Sequence, residues 1–553
     1  MGKSGQRGHQ SSRGCQQFST VPAWASALIA GAMLAGCQTM PIGGGIDEPE
    51  APLIESAESL EVDYSRFAAR RQAAEQATGG ADSPGGADSE VPGGFSDATF
   101  PASIGTAAVI SDPDMHQRLE TVVEQLLKHW PREAPAINIA VTDSAVPSPS
   151  VTPGATIVIP RGFLEMSKSL DELHFVVAHE MAHVLLDHFR DADDQRETRE
   201  NLATVRESVE RLEREHLAVR HDEEPVDASG ALETVELNLL LGNQYIFGPA
   251  FNRRQEIEAD RLGLDLAVRA GFGFIGAYKS IQRIMNLQQQ ARERYEERCG
   301  RIDRFWTDKL VDAVPERLRR LGGSDAATSD VQDPACAASE NVLEASFDQD
   351  SHPDPEQRWE EIQQYVDAFY SDMALTVQHE SDNNLVNLIS PDGTLARSGM
   401  ASRALDRLEA GDLEAAERLA YDSLDGSADP TPLPRWAMYR VRRAQHVQSP
   451  GSGYLARAIT NLEIAVAGGI APRRMHLTLA EEYAALARYD DAVAALDGAA
   501  AQFNDPESYY PMRIRWLARA GLDERVEGVL DRCRQTGDSG LIARCSNAAA
   551  EQV

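Results

Sequence analysis

The run His179-Glu180-Met181-Ala182-His183 leaves its part of the chain few ways to fold. It sits between Phe175-Val176-Val177-Ala178 and Val184-Leu185-Leu186, and a stretch this apolar on nearly every side is a buried helix. On that helix the two histidines, four apart, lie one above the other on a single face, where two imidazole nitrogens can share one Zn2+. Glu180, one position on, points where it can reach a water on the metal without being a ligand. Without a metal, two buried imidazoles and a carboxylate would need other partners, so plain hydrogen bonding in a core is the weaker account.

The rest of the composition narrows the function. With 53 Lys and Arg against 87 Asp and Glu, the 553-residue chain carries a net charge of −34, which excludes a protein that grips nucleic-acid phosphates. Lys3, Arg7 and Arg13 precede an apolar segment from Val21 to Met33, and Leu34-Ala35-Gly36-Cys37 comes next. This order predicts a secretory signal over residues 1–36, too short to span a bilayer comfortably. Its end resembles the lipobox of bacterial lipoproteins, which implies acylation of Cys37. Gln38 in the place of Asp implies sorting to the outer membrane, with the body of the protein in the periplasm and attached by lipid alone. Cys299, Cys336, Cys533 and Cys545 then remain, Cys15 being removed with the signal. In an oxidising compartment they predict two disulfides with three possible connectivities; the local pairing, Cys299 with Cys336 and Cys533 with Cys545, keeps each bond inside one domain.

Residues 37–111 read as a tether, Gly-Gly-rich and acidic, with a short helical piece near Leu60 to Ala73. Order begins at Asp112-Pro113, where Leu119, Val122, Val123, Leu126 and Leu127 repeat at helical spacing. Ile137 to Val141 and Ala155 to Ile159 read as strands of a small sheet whose edge can take up an extended peptide. A helical insertion over about 192–248 carries a narrow seam of Leu202, Val205, Val209, Leu212, His216 and Val219, which makes His216 a packing residue and not a ligand. After a linker at 371–400, residues 401–553 turn Ala-rich and helical. Ala458 to Leu462 aligns with Ala492 to Leu496 at an offset of 34, Val526 to Leu530 lies one period later, and Gly411 to Leu419 is an earlier copy. Helix pairs at this period resemble tetratricopeptide repeats, whose stacks form curved surfaces that hold partner chains. The fold class expected is therefore α+β, mostly α: a metal-helix domain over 112–370 with a small sheet, then an all-α solenoid.

Two histidines do not complete a catalytic zinc site, which has three protein ligands and an open position. The metzincin pattern would need glycine at 186 and histidine at 189, where the chain has Leu186 and Phe189. Further on, Glu256-Ile257-Glu258-Ala259-Asp260 puts two carboxylates four apart on one helical face, of which one can bind zinc while the other orients a ligand histidine. Together with His179-Glu180-x-x-His183, this motif resembles the gluzincin metallopeptidases of family forty-eight, the HtpX- and BepA-like zinc metallopeptidases, over roughly Asp112 to Val366. The resemblance implies one zinc per chain held by His179, His183 and Glu256, Glu180 as the catalytic base and Asp260 behind a ligand. Ser351-His352-Pro353-Asp354-Pro355 is similar to a loop that plugs the cleft in the BepA-like branch, which makes His352 a candidate fourth ligand of a latent state. Two features depart from the family: Pro147-Ser148-Pro149-Ser150 stands where an Asn-Ala-Phe-type strand is usual, and the segment from Cys299 to Asp350 is longer than the pattern requires.

The function expected of such a chain is that of a periplasmic zinc metalloendopeptidase acting on misassembled envelope proteins, with polypeptides held by the repeats. The alternative is an assembly chaperone for outer-membrane proteins whose protease site is mostly latent.

Overall fold

A computed structural model describes most residues of 51–69, 107–189, 251–293, 355–371 and 393–550. The expected signal and Cys37, the insertion at 192–248 with His216, and Cys299, Cys336 and His352 lie outside the described residues. The first described element, α1 (Leu53–Ser56), falls within the stretch read as tether. The long α2 (Pro113–Leu127) starts where its sequence dictates: the Asp112 carboxylate accepts from the Met115 N–H, and Pro113 takes the first-turn position that has no use for an N–H.

The strands β1 (Asn138–Thr142), β2 (Ser150–Val151) and β3 (Thr156–Pro160) form a mixed sheet in the order β1-β3-β2. β1 and β3 run parallel, Asn138 facing Thr156, while β2 runs antiparallel with Ser150 facing Val158. The outer side of β1 is met by residues 108–110: the Ile110 N–H bonds to Val141 O, and the Asp143 N–H to Ala108 O. β2 is the opposite edge and packs on the metal helix. The stretch Pro147-Ser148-Pro149 thus leads directly into that edge, which is only two residues long.

After α3 (Arg161–Met166) comes α4 (Leu170–Leu185), buried from Asp171 to Leu185. It is crossed by α5 (Arg253–Arg269), and α6 (Pro355–Phe369) packs on α5. Close crossing of α4 and α5 depends on Gly263: a Cβ built there would stand 2.9 Å from His179 N and 3.0 Å from His179 Cα. Among the described residues no helix is long and apolar enough to cross a membrane.

Two boundaries differ from the sequence reading. The expected tether at 37–111 holds Ile54, Ala57 and Phe67, which enter the core with 1% or less of their surface exposed. The reason is polar as well as apolar. Asp265, fully buried in α5, accepts from Ile54 N–H at 2.9 Å, Tyr365 Oη at 2.9 Å and Tyr370 Oη at 2.6 Å, while Tyr365 Oη accepts from Leu53 N–H at 2.6 Å. Tyr64 Oη further donates to Leu185 O at the end of the metal helix, 2.8 Å away. Helix α7 (Thr394–Glu409) begins inside the stretch assigned to a linker, because Leu395 joins the same core and Gly399 lies against Glu165 of α3.

From there the chain is paired helices: α7 with α8 (Leu413–Asp422), α9 (Pro432–Gln448) with α10 (Tyr454–Ala467), α11 (Arg473–Ala485) with α12 (Tyr489–Gln502), and α13 (Tyr510–Arg519) with α14 (Asp523–Gln535), then α15 (Ser539–Ala550). The aligned segments Ala458–Leu462, Ala492–Leu496 and Val526–Leu530 occupy the second helix of successive pairs. Ala458, Leu462, Ala492, Leu496, Val529 and Leu530 all lie in one core. Cys533 and Cys545 are joined by a disulfide that ties α14 to α15.

Candidate metal centre

His179 and His183 stand on one face of α4, as the i, i+4 spacing requires, with Nε2 atoms 3.2 Å apart. Glu256, near the start of α5, faces both: its Oε2 is 3.6 Å from His179 Nε2 and its Oε1 3.7 Å from His183 Nε2. One donor atom from each of the three lies within 4.8 Å of the others, and all three residues are buried. Asp260, one turn after Glu256, lies 3.0 Å from His179 Nδ1. Its carboxylate therefore accepts from the Nδ1–H of His179, which turns the Nε2 lone pair toward the metal position. Burial, with His179 and His188 adding to it, keeps His183 neutral well below the ordinary histidine range.

This arrangement fits zinc. Lone pairs from two imidazoles and a carboxylate converge among buried residues, which is the donor set Zn2+ takes and which neutral hydrogen bonding would leave facing one another. Glu180, 8% exposed, is the remaining acid on the metal helix at this place. Burial pushes its carboxyl up to about 7. An acid poised there can hold or release a proton near neutral pH.

Four residues of the centre were not read as such from the sequence. Arg358 of α6 grips Asp260 at both oxygens, 2.8 Å from Nε and 2.6 Å from one terminal nitrogen, and its other terminal nitrogen is 3.0 Å from Glu256 Oε2. Burial alone would raise the Asp260 carboxyl, but the guanidinium overrides this and holds it at about 2. Arg358 sits one turn into the Pro-started helix α6. Phe251 stacks on His183 with ring centres 3.6 Å apart. His188 Nδ1 lies 2.9 Å from His183 Nδ1. Gly263 falls three residues after Asp260 and seven after Glu256, on the stripe of α5 that meets α4. Of the other expected positions, Cys533 and Cys545 are bonded in the last helices, remote in sequence from the centre.

Residues 113–366 match the profile of peptidase family M48, a span that runs from the first residue of α2 into α6 and contains every donor named above. No curated protein matches the chain.

Proposed function

We propose, for a chain whose residues 113–366 form a peptidase family M48 domain with its zinc donors assembled, that it is an endopeptidase of envelope polypeptides, fed by its C-terminal helices. A zinc metallopeptidase acts on polypeptides; the substrate group and the place of action are the parts proposed. Zinc held by His179, His183 and Glu256 supplies Lewis-acid polarisation of a scissile carbonyl and lowers the pKa of water. The chain's own residues do the rest. Glu180 takes the proton of the attacking water and delivers it to the departing amine nitrogen, a task matched by a carboxyl near 7. Asp260 fixes the ring of His179, and Arg358 holds Asp260 and Glu256 in place while offsetting their charge.

The convergence of three buried donors beside Glu180 carries this reading. The paired helices support a polypeptide-holding role of the tetratricopeptide kind, since such stacks form extended curved surfaces. Export with acylation at Cys37 is supported by Leu34-Ala35-Gly36-Cys37 and by the Cys533–Cys545 disulfide, a bond that persists in oxidising compartments. The direct test measures zinc content and casein cleavage in wild type, Glu180→Gln and His179→Ala. Glu180→Gln is expected to keep its zinc and lose cleavage by at least about a hundredfold, and His179→Ala to lose both. Full cleavage by Glu180→Gln would sink the mechanism. Mass spectrometry of the membrane-extracted protein tests the anchor: an unmodified Cys37 rejects it.

A further inference from the structure

The metal helix ends in a reversal that brings a third histidine onto its second ligand. Leu186 caps α4, Asp187 adopts a left-handed φ of 58°, and the chain turns back. The Asp187 N–H bonds to Val184 O at 3.1 Å and the His188 N–H to His183 O at 2.9 Å, the paired bonds of a Schellman motif. That motif sets the side chain after the left-handed residue against the one five positions earlier, a contact that is commonly apolar. Here the two side chains are His188 and His183, and the contact is between ring nitrogens, Nδ1 to Nδ1 at 2.9 Å.

The protons on this pair can be assigned from their neighbours. Glu258 Oε2 lies 3.4 Å from His188 Nε2, and a carboxylate only accepts, so His188 carries its proton on Nε2. Its Nδ1 is then a lone pair, and the proton between the rings belongs to His183 Nδ1. His183 is left with its own lone pair on Nε2, the atom that faces His179 and Glu256. His188 is held in place for this: Gln255 Nε2 donates to its backbone carbonyl at 3.1 Å, Phe251 meets its ring edge-on, and its residue is 5% exposed.

We propose that His188 is a positioning residue that fixes the tautomer and ring orientation of the zinc ligand His183, with Glu258 as its own anchor. Each ligand histidine thus has a separate support, a carboxylate behind His179 and an imidazole behind His183. The proposal rests on the zinc site described above and concerns how that site is made firm. α5 thus serves both ligand histidines, with Asp260 behind His179 and Glu258 reaching around to His188.

The test uses the full chain and reads the zinc dissociation constant by competition with a chromogenic chelator, alongside the thermal midpoint of the metal-free protein. His188→Leu removes the acceptor and is expected to weaken zinc binding by about 10- to 100-fold. His188→Asn, whose Oδ1 can stand where Nδ1 stood, is expected to recover most of that loss, a rescue that packing alone does not give. Glu258→Leu, at a side chain 26% exposed and so tolerant of change, is expected to fall between wild type and His188→Leu. If His188→Leu does not fold, the comparison of His188→Asn and Glu258→Leu with wild type decides. Wild-type affinity in His188→Leu, or in Glu258→Leu where that comparison decides, overturns the proposal, as does an Asn variant no better than Leu. A wild-type protein that binds no zinc overturns the metallopeptidase reading itself, which is a different result.

Discussion

Replacing Gly263 with alanine tests whether the α4–α5 crossing sets the metal centre. The added Cβ would meet His179 N at 2.9 Å, His179 Cα at 3.0 Å and Ala178 C at 3.3 Å, all backbone atoms of the metal helix that cannot rotate away. Ordinary contact begins near 3.4 Å, so α5 must retreat by about half an ångström where it carries Glu256 and Asp260. Zinc ligands tolerate about 0.2 Å of error in distance. Overpacking of this kind costs about 1–3 kcal/mol, partly offset by the roughly 1 kcal/mol that alanine gains over glycine within a helix. The metal-free protein is therefore expected to lose at most about 2 kcal/mol, while zinc affinity falls by about tenfold or more. The assays are urea denaturation of the metal-free chain and chelator competition for zinc. Gly528→Ala in α14 is the control, since a Cβ there meets nothing within 4 Å and should stabilise by about 1 kcal/mol. If Gly263→Ala behaves like Gly528→Ala, more stable and with zinc affinity intact, the reasoning about the crossing is wrong.

Other parts of the molecule lead to three more expected outcomes. Deleting residues 1–70 removes Ile54 and Phe67 from the core and should cost on the order of 3–5 kcal/mol, read as a lower urea midpoint; an unchanged midpoint would show those residues to be dispensable. His174, stacked on Phe272 at 3.4 Å, is lowered by burial to about 4, so between pH 6.5 and 4 the unfolded chain binds a proton that the fold refuses. Stability should fall as pH drops through that window, by up to about 3 kcal/mol, and His174→Phe should flatten the slope in thermal melts taken across it. Cys533→Ser with Cys545→Ser opens a loop of sequence separation 12 and should cost about 3 kcal/mol, confined to α14 and α15, as faster amide exchange there would register.

The metal helix and its second motif were legible because their chemistry demands a fixed spacing: histidines four apart, then Glu256 and Asp260 four apart, on helices whose apolar neighbours reveal them. The strands at 138–142 and 156–160 were legible from short runs rich in β-branched residues, and the second helices of the pairs from a period near 34. Arg358 was not, because its role arises only when α6 packs on α5 and no local pattern marks an arginine as the partner of an acid 98 residues away. His188 needed the left-handed turn at Asp187, a position where glycine would have given notice of a helix end and an aspartate does not. Residues 53–67 read as tether because their apolar side chains are few; what orders them is the buried Asp265, whose three donors come from two distant parts of the chain, Ile54 on one side and Tyr365 with Tyr370 on the other. Leu395 was hidden because the core it joins is built from residues far from it in the sequence.

That knot around Asp265 also decides how the molecule bears a mechanical load. A pull on the chain ahead of residue 51 does not first peel a strand from the sheet. It reaches Leu53 and Ile54, whose N–H groups are held by Tyr365 and Asp265, and passes into α6 and α5. Those helices carry Arg358, Glu256 and Asp260. Tension that arrives at Leu53 and Ile54 is thus expected to be borne first by the two helices that also hold the zinc donors.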